Sequence, residues 1–325
     1  MTVVEAPAII VAEGVSRRFG DLIAVQDLTL RVPEGQILGM IGPSGSGKTT
    51  TIRMLTGTLP RTSGEMSVLG EDPHRFSRHV RERLAYMPQL FSLYPDLKAR
   101  ENVGFVAALF GIGPFRRGRL IRHALEVVEL WDARDKLARD LSGGMQRRLE
   151  LACALVHSPS VLFVDEPTAG IDPILRLAIW TELRRLRDDG RTLLVTTQSV
   201  AEAEYCDEVA VLADGRLIAL DRPEALRRGV YGGEVLEVET DRAVDPELLA
   251  GVPEVTEVRQ PAARKLIVIT DNAAVATPRI MAAISDRGVG VVAMAEYQPT
   301  WDEVFAGLVE QGATQAPEGD DVRRN

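Results

Sequence analysis

Along this chain apolar positions first alternate with polar ones, then gather into short solid runs, then recur at helical spacing. Ile9-Ile10-Val11-Ala12 and Leu28-Thr29-Leu30-Arg31-Val32 alternate in part and predict strands. Residues 36–41 form an apolar run that predicts a buried strand, followed through a glycine-rich loop by a helix over 49–56. Leu59-Pro60 and Ser63-Gly64 mark turns ahead of a strand over 65–69. Helical spacing then appears over 96–110 and 119–130, with a Gly-, Pro- and Arg-rich loop over 111–118 between them. Ser142 stands as an N-cap before a helix running to about His157. A buried strand over 161–164, a helix over 174–188 and a strand over 192–197 follow.

Strands alternating with helices predict an α/β core around a mainly parallel sheet, with residues 94–139 as an inserted helical subdomain. The texture changes near residues 229–233. Beyond it, strands around Val235, Leu236 and Val238, over 266–269 and over 289–294 alternate with helices over 275–286 and 301–310. The expected organisation is therefore a first domain over 1–230 and a small α+β domain over 231–311. Residues 312–325 are polar and rich in Gly, Pro and Asp, which predicts a disordered tail.

Composition narrows the class. The 325 residues are 45% hydrophobic and 26% charged, the balance of a soluble globular protein. No run of 18 apolar residues occurs. The least polar stretch, 103–115, is broken by Gly104, Gly111, Gly113 and Pro114 and is too short to span a bilayer. The first residues lack the basic start of a signal peptide, so any membrane role is expected to come from a partner. Cys153 and Cys206 form no motif and read as buried reduced thiols suited to a cytosolic compartment. Residues 1–230 balance their charges, so the net charge of −9 belongs to the C-terminal part and argues against nucleic acid there.

Chemistry concentrates in a few stretches. Gly42-Pro43-Ser44-Gly45-Ser46-Gly47-Lys48-Thr49 fits the phosphate-binding pattern G-x-x-x-x-G-K-[ST] between a predicted strand and a predicted helix, the context that this motif needs. Its glycines let backbone N–H groups face phosphate oxygens, Lys48 would neutralise their charge, and the Thr49 hydroxyl would ligate Mg²⁺. Val161-Leu162-Phe163-Val164-Asp165-Glu166 is an apolar strand ending in two carboxylates. Asp165 would hold Mg²⁺ through water and Glu166 would polarise an attacking water as general base; a solvated acidic turn is the alternative. The fold expected is thus a P-loop NTPase core.

The stretch Leu141-Ser142-Gly143-Gly144-Met145-Gln146 is more selective than the phosphate loop, which many nucleotide-binding families share. Taken with that loop, it resembles the signature of ATP-binding-cassette (ABC) transporter subunits, and the resemblance covers roughly residues 9–225. It implies ATP and Mg²⁺ as cofactors, and a dimer with a second copy or a homologous ATPase subunit. In such a dimer Ser142, Gly143 and Gly144 contact the γ-phosphate of ATP held by the other subunit. It also assigns Thr50 to the nucleotide contacts, Gln89 in Tyr86-Met87-Pro88-Gln89 to a loop that touches Mg²⁺ and senses the membrane partner, and Asp172 in Ala169-Gly170-Ile171-Asp172 to a bridge between subunits. Phe19 falls where an aromatic ring stacks on adenine, although a core position is the alternative. A membrane permease is implied, with the chain peripheral at the cytoplasmic face of the cell membrane.

Thr196-Thr197-Gln198 departs from the family, most members of which have histidine at the last position. In the family that histidine contacts the γ-phosphate; Gln198 can still donate an amide N–H to that oxygen but cannot take up a proton. The Thr-Thr-Gln form is similar to that of daunorubicin-resistance-type (ABC-2) exporter ATPases. The ending Gln298-Pro299-Thr300-Trp301-Asp302-Glu303-Val304-Phe305 is similar to the close of subunits that pair with a six-helix permease. Two other readings stay open on sequence alone: a non-transport ABC ATPase, and an ATP-binding regulatory subunit with little turnover, which Gln198 would favour. Arg116, Arg117 and Arg119 could meet acidic lipid or a permease loop, or form a solvated basic loop.

Overall fold

A computed structural model describes residues 7–90 and 92–315, with side chains to 312. The first six residues, and the part of the expected tail over 316–325, lie outside the described residues. The chain divides into two compact units, Met1–Arg222 and Pro223–Asn325.

In the first unit β1 (Ala8–Phe19) and β2 (Leu22–Pro33) form an antiparallel hairpin. Both are far longer than the runs that alternation marks, because register shifts between Ala12 and Arg18 break the period of two. β3 (Ile37–Ile41) is buried at every residue and feeds the phosphate loop, after which α1 (Lys48–Leu55) begins. β4 (Ser63–Val68) pairs with β1 to complete a three-stranded sheet ordered β2-β1-β4. A short helix α2 (Arg78–Glu82) leads to β5 (Leu84–Met87).

The helical insert contains α3 (Ala99–Leu109) and α4 (Pro114–Val127), which pack on each other and on α5 (Gly143–Leu155). The expected loop over 111–118 is largely helix. Gly113 caps α4, and Pro114 occupies its first turn, where a missing N–H costs nothing and the ring presets φ. Arg116 and Arg119 are therefore exposed helical residues, while Arg117 turns back to donate to the Ile112 carbonyl at 2.8 Å.

β6 (Val161–Asp165), α6 (Pro173–Asp188), β7 (Thr192–Thr197), β8 (Glu208–Ala213) and β9 (Arg216–Asp221) complete a six-stranded sheet ordered β5-β6-β7-β3-β8-β9. All neighbours are parallel except β8 with β9. The solid apolar runs of β3, β6 and β7 match strands covered on both faces. One core joins the two sheets through Ile10, Leu28, Met40, Ile52, Phe163 and Leu194. Because β7 lies between β3 and β6, the ends of these three strands open side by side.

The second unit opens with α7 (Pro223–Tyr231), which packs on its later elements and so puts the division after Arg222 rather than after residue 230. Its antiparallel sheet, ordered β11-β12-β10-β13, comprises β10 (Glu234–Thr240), β11 (Val255–Ala262), β12 (Lys265–Thr270) and β13 (Val291–Glu296). Leu236, Val238, Leu266 and Val268 meet Ile280 and Ile284 of α8 (Ala273–Ser285) on one face. Val235, Ile267 and Ile269 meet Tyr231 and Tyr297 on the other. The last helix, α9 (Trp301–Gln315), starts inside the segment expected to mark an exporter ending. Thr300 and Glu303 make a capping box there: the Thr300 amide donates to Glu303 Oε2 at 2.8 Å and the Glu303 amide to Thr300 Oγ1 at 3.4 Å. α9 runs past residue 312, where the tail was expected to begin.

Candidate nucleotide-hydrolysis site

The phosphate loop is locked by backbone geometry. Gly47 holds φ of 100°, and a Cβ there would stand 2.6 Å from the Ala24 carbonyl oxygen of β2. Only glycine combines that dihedral with that approach. Pro43, Ser44 and Gly45 are exposed on the outer arc, Gly42, Ser46 and Lys48 are buried, and Thr49 and Thr50 are partly covered. Lys48 Nζ donates to the carbonyls of Gly42 at 2.7 Å and Pro43 at 2.9 Å, so the ammonium already sits in the hollow of the loop. Burial pushes its pKa below the ordinary lysine value, against the opposing pull of Glu166 and Asp165.

The strand register delivers the acidic pair. Asp165 lies opposite Thr196, and Thr196 opposite Met40, in one row across β6, β7 and β3. Asp165 Oδ1 accepts from Thr196 Oγ1 at 2.5 Å and from Thr49 Oγ1 at 3.1 Å. Thr196 Oγ1 also accepts the Glu166 amide at 3.0 Å. This single buried hydroxyl ties Asp165 to the backbone of Glu166. In sequence Thr196 carries no mark of this role, which strand register gives it.

Glu166 holds φ of 48°, a left-handed conformation that costs a non-glycine residue about 1–2 kcal/mol. The side chain is nonetheless fixed at both oxygens. Gln89 Nε2 donates to Oε2 at 2.8 Å, Gln198 Nε2 donates to Oε1 at 2.8 Å, and Lys48 Nζ stands 3.8 Å from Oε1. Three loops from three different strands thus converge on one carboxylate that is 5% exposed. That is not a solvated acidic turn. Gln198 supplies a neutral donor to the carboxylate.

Asp165 Oδ2 is buried with no hydrogen-bond partner, beside the Thr49 hydroxyl. An orphaned carboxylate oxygen next to a hydroxyl suits a hard divalent cation completed by phosphate and water oxygens. Among the described residues no group of three His, Cys, Asp or Glu could hold a metal ion by itself. Thr49 and Asp165 would hold Mg²⁺. Gln89, expected beside the cation, here points its amide nitrogen at Glu166.

The remaining expected residues lie at exposed ends. Phe19 is 44% exposed at the tip of the hairpin with the Arg17 guanidinium 4.3 Å over its ring, so it is not a core residue. The same hairpin runs against Gly47 through Ala24. Ser142 caps α5 by accepting the Met145 amide at 3.3 Å; with Gly143 it is exposed, at the positive end of the helix dipole. Gly144 is buried, and a Cβ there would collide with the side chain of Leu175. Asp172 caps α6 through Oδ1, which accepts the Leu175 amide at 3.0 Å. Gly144 of the signature thereby packs on the first turn of α6, the turn that Asp172 caps.

This is a phosphate loop with a cluster of fixed carboxylates beside it. Residues 25–169 match the family profile described as ABC transporter. The chain is 41% identical over 225 residues to Nod factor export ATP-binding protein I of Burkholderia lata, covering 69% of this chain and 74% of that one. It is 37% identical over 219 residues to the probable multidrug ABC transporter ATP-binding protein YbhF of Escherichia coli, covering 67% of this chain and 38% of that one. Among solved structures, cbiO1 of Clostridium perfringens, part of an ABC transporter complex, superposes with a TM-score of 0.63 at 26% identity, covering 69% of this chain and 91% of that one. A dimeric ATP-binding cassette in a post-hydrolysis state bound to ADP and phosphate superposes at 0.60 and 26% identity, covering 66% and 98%. The chain belongs to the ATP-binding subunits of ABC transporters and is an ATPase.

Proposed function

We propose that this chain powers an ABC-2-type exporter of the daunorubicin-resistance kind. It would work as a dimer with a second copy or a homologous subunit, peripheral at the cytoplasmic face of the membrane, on a permease that carries a drug-like, antibiotic or lipid cargo. The observation that carries the catalytic part is the convergence of Lys48, Gln89 and Gln198 on Glu166. The relatives, a Nod factor export ATP-binding protein and a probable multidrug ABC transporter ATP-binding protein, favour export. No helix among the described residues is long and apolar enough to cross a membrane, so the cargo path would belong to a partner.

In this reading ATP lies with its adenine on Phe19 and its phosphates in the loop 42–49, with Thr50 at the margin. When bound, Mg²⁺ would be held by Thr49 and Asp165 and would neutralise charge on the phosphate oxygens. Glu166 accepts a proton from water as the water oxygen bonds to the γ-phosphorus. The bond from that phosphorus to the β–γ bridging oxygen breaks, and ADP leaves with the electron pair. Base catalysis of this kind contributes about 10²- to 10⁴-fold. Gln198 and Gln89 keep the carboxylate aimed, and neither takes up a proton, so proton acceptance rests on Glu166 alone. Ser142, Gly143 and Gly144 close on the γ-phosphate of the partner's ATP, and Asp172 faces the partner.

The test is affinity purification of the chain from detergent-solubilised membranes. A stoichiometric polytopic protein is expected. Recovery with ribosomes or DNA, and without a membrane protein, would overturn the transport reading.

A further inference from the structure

On α5, five residues after the Ser142 cap, Arg147 is 4% exposed and Glu150, one turn on, 3% exposed. They form an ion pair at 2.7 Å. Neither has a part in the chemistry above, yet nearly every donor of the guanidinium is aimed at backbone of the catalytic loops. Nη1 donates to the Pro88 carbonyl at 3.1 Å, Nη2 to the Glu166 carbonyl at 2.9 Å, and Nε to the Pro167 carbonyl at 3.3 Å. Glu150 Oε1 accepts the Ser92 amide at 2.7 Å. The pair therefore grips the chain on both sides of Gln89 and the peptide that carries Glu166.

That peptide needs gripping. Glu166 sits at φ of 48°, where a non-glycine residue persists only if its surroundings over-determine it. Its amide is held by Thr196 and its carbonyl by Arg147. Gln89, which fixes Oε2 of the same carboxylate, follows directly on Pro88, whose carbonyl the same guanidinium holds. One planar fork thus sets both the base and one of its two amide clamps. A lysine could not copy this, because an ammonium is a point donor on a flexible stem.

We propose that Arg147, charge-balanced by Glu150, is a positioning residue for hydrolysis: it transmits the placement of the signature helix to the backbone of Glu166 and Gln89. The proposal rests on the reading of Glu166 as the general base. Under that reading α5 grips the partner's ATP at its N-terminus and, through Arg147, aims the base for its own subunit's ATP. The strut makes the chemistry in one site depend on closure of the other.

The test uses the full chain in three variants: Arg147→Lys, the charge-neutral pair Arg147→Met with Glu150→Gln, and Glu166→Gln in parallel. Steady-state ATPase gives kcat and KM, binding of radiolabelled ATP gives Kd, and thermal melting reports the fold. The double variant is expected to bind ATP with unaltered Kd and KM and to lose kcat on the order of 10²-fold, the cost of misplacing a catalytic group by about 1 Å. Arg147→Lys should fall between the double variant and the unaltered chain. If the double variant melts early, Arg147→Lys decides: a kcat loss at unchanged KM supports the proposal and an unchanged kcat overturns it. Loss of ATP binding in step with kcat would also overturn it, since that marks general structural damage. Full turnover in the strut variants with a dead Glu166→Gln sinks the strut alone, whereas turnover in Glu166→Gln sinks the base assignment beneath it.

Discussion

Replacing Thr196 by valine removes one buried hydroxyl and almost no volume. That hydroxyl donates to Asp165 Oδ1 at 2.5 Å and accepts the Glu166 amide at 3.0 Å. The two bonds are not equal in consequence. The Glu166 amide keeps the Thr196 carbonyl at 3.1 Å, so it stays satisfied. Asp165 keeps only Thr49 on that oxygen, and its other oxygen has no partner. The net loss is one charge-assisted bond in a dry site, about 1.5–3 kcal/mol. Expressed wholly in the transition state, about 2 kcal/mol corresponds to roughly a 30-fold fall in turnover, at 1.36 kcal/mol per decade. The assay is phosphate release at saturating ATP with Mg²⁺ titrated. Lower kcat and a raised Mg²⁺ requirement are expected, because the hydroxyl fixes the carboxylate that would hold the cation. Thr240→Val is the matched control: its hydroxyl is also buried and donates to the Arg242 carbonyl at 2.7 Å, in the second unit. It should lower the melting temperature and leave phosphate release unaltered. Equal turnover in Thr196→Val and the unaltered protein would refute the idea that the hydroxyl organises the acidic pair.

Three further outcomes follow from the geometry. Gly47→Ala should abolish ATP binding, because its Cβ meets the Ala24 carbonyl and its φ is left-handed; titration with a fluorescent ATP analogue checks this. Phe19→Ala should weaken ATP about 2- to 10-fold, the worth of roughly 0.5–1.5 kcal/mol of ring stacking, while Phe19→Trp retains affinity; the same titration reads both. His157 stacks on Phe110 at 3.7 Å with Nε2 against the Leu84 carbonyl at 2.8 Å. Burial holds its pKa below the usual histidine value, with the nearby Arg191 adding to the effect, so the folded state favours the neutral ring. The unfolded chain then binds more protons below a pH of about 6.5, and stability present above that pH should fall as pH drops through the lowered pKa. Melting curves between pH 7.5 and 5 should show a shallower loss in His157→Gln.

What could be read ahead of the structure was whatever depends on local pattern. The phosphate loop, the strand into Asp165 and Glu166, and the Ser142 cap are all contiguous, and each stands where its local pattern placed it. Some elements give little local signal: β5 has four residues, and β11 is an edge strand with mostly exposed residues and a proline at 261. β8 and β9 carry apolar runs that the sequence expectations left out. The segment over 111–118 looked like a loop because its Gly and Pro were counted as breakers, whereas Pro114 at a first turn starts a helix. Thr196 and Arg147 escaped for a different reason. Their roles come from strand order and from packing between distant segments, and a threonine in a strand or an Arg–Glu pair on a helix carries no local mark of that.

The central claim is that Glu166 takes the proton from water at an ATP site closed by a second subunit. Its most direct test is Glu166→Gln in the full chain, with ATP turnover and sedimentation measured on the same sample. The substitution keeps the shape of the side chain and removes its ability to accept the proton. Turnover should vanish while ATP drives the chain into a stable dimer that retains uncleaved ATP. Hydrolysis at the unaltered rate, or a chain that stays monomeric with ATP bound, would contradict it.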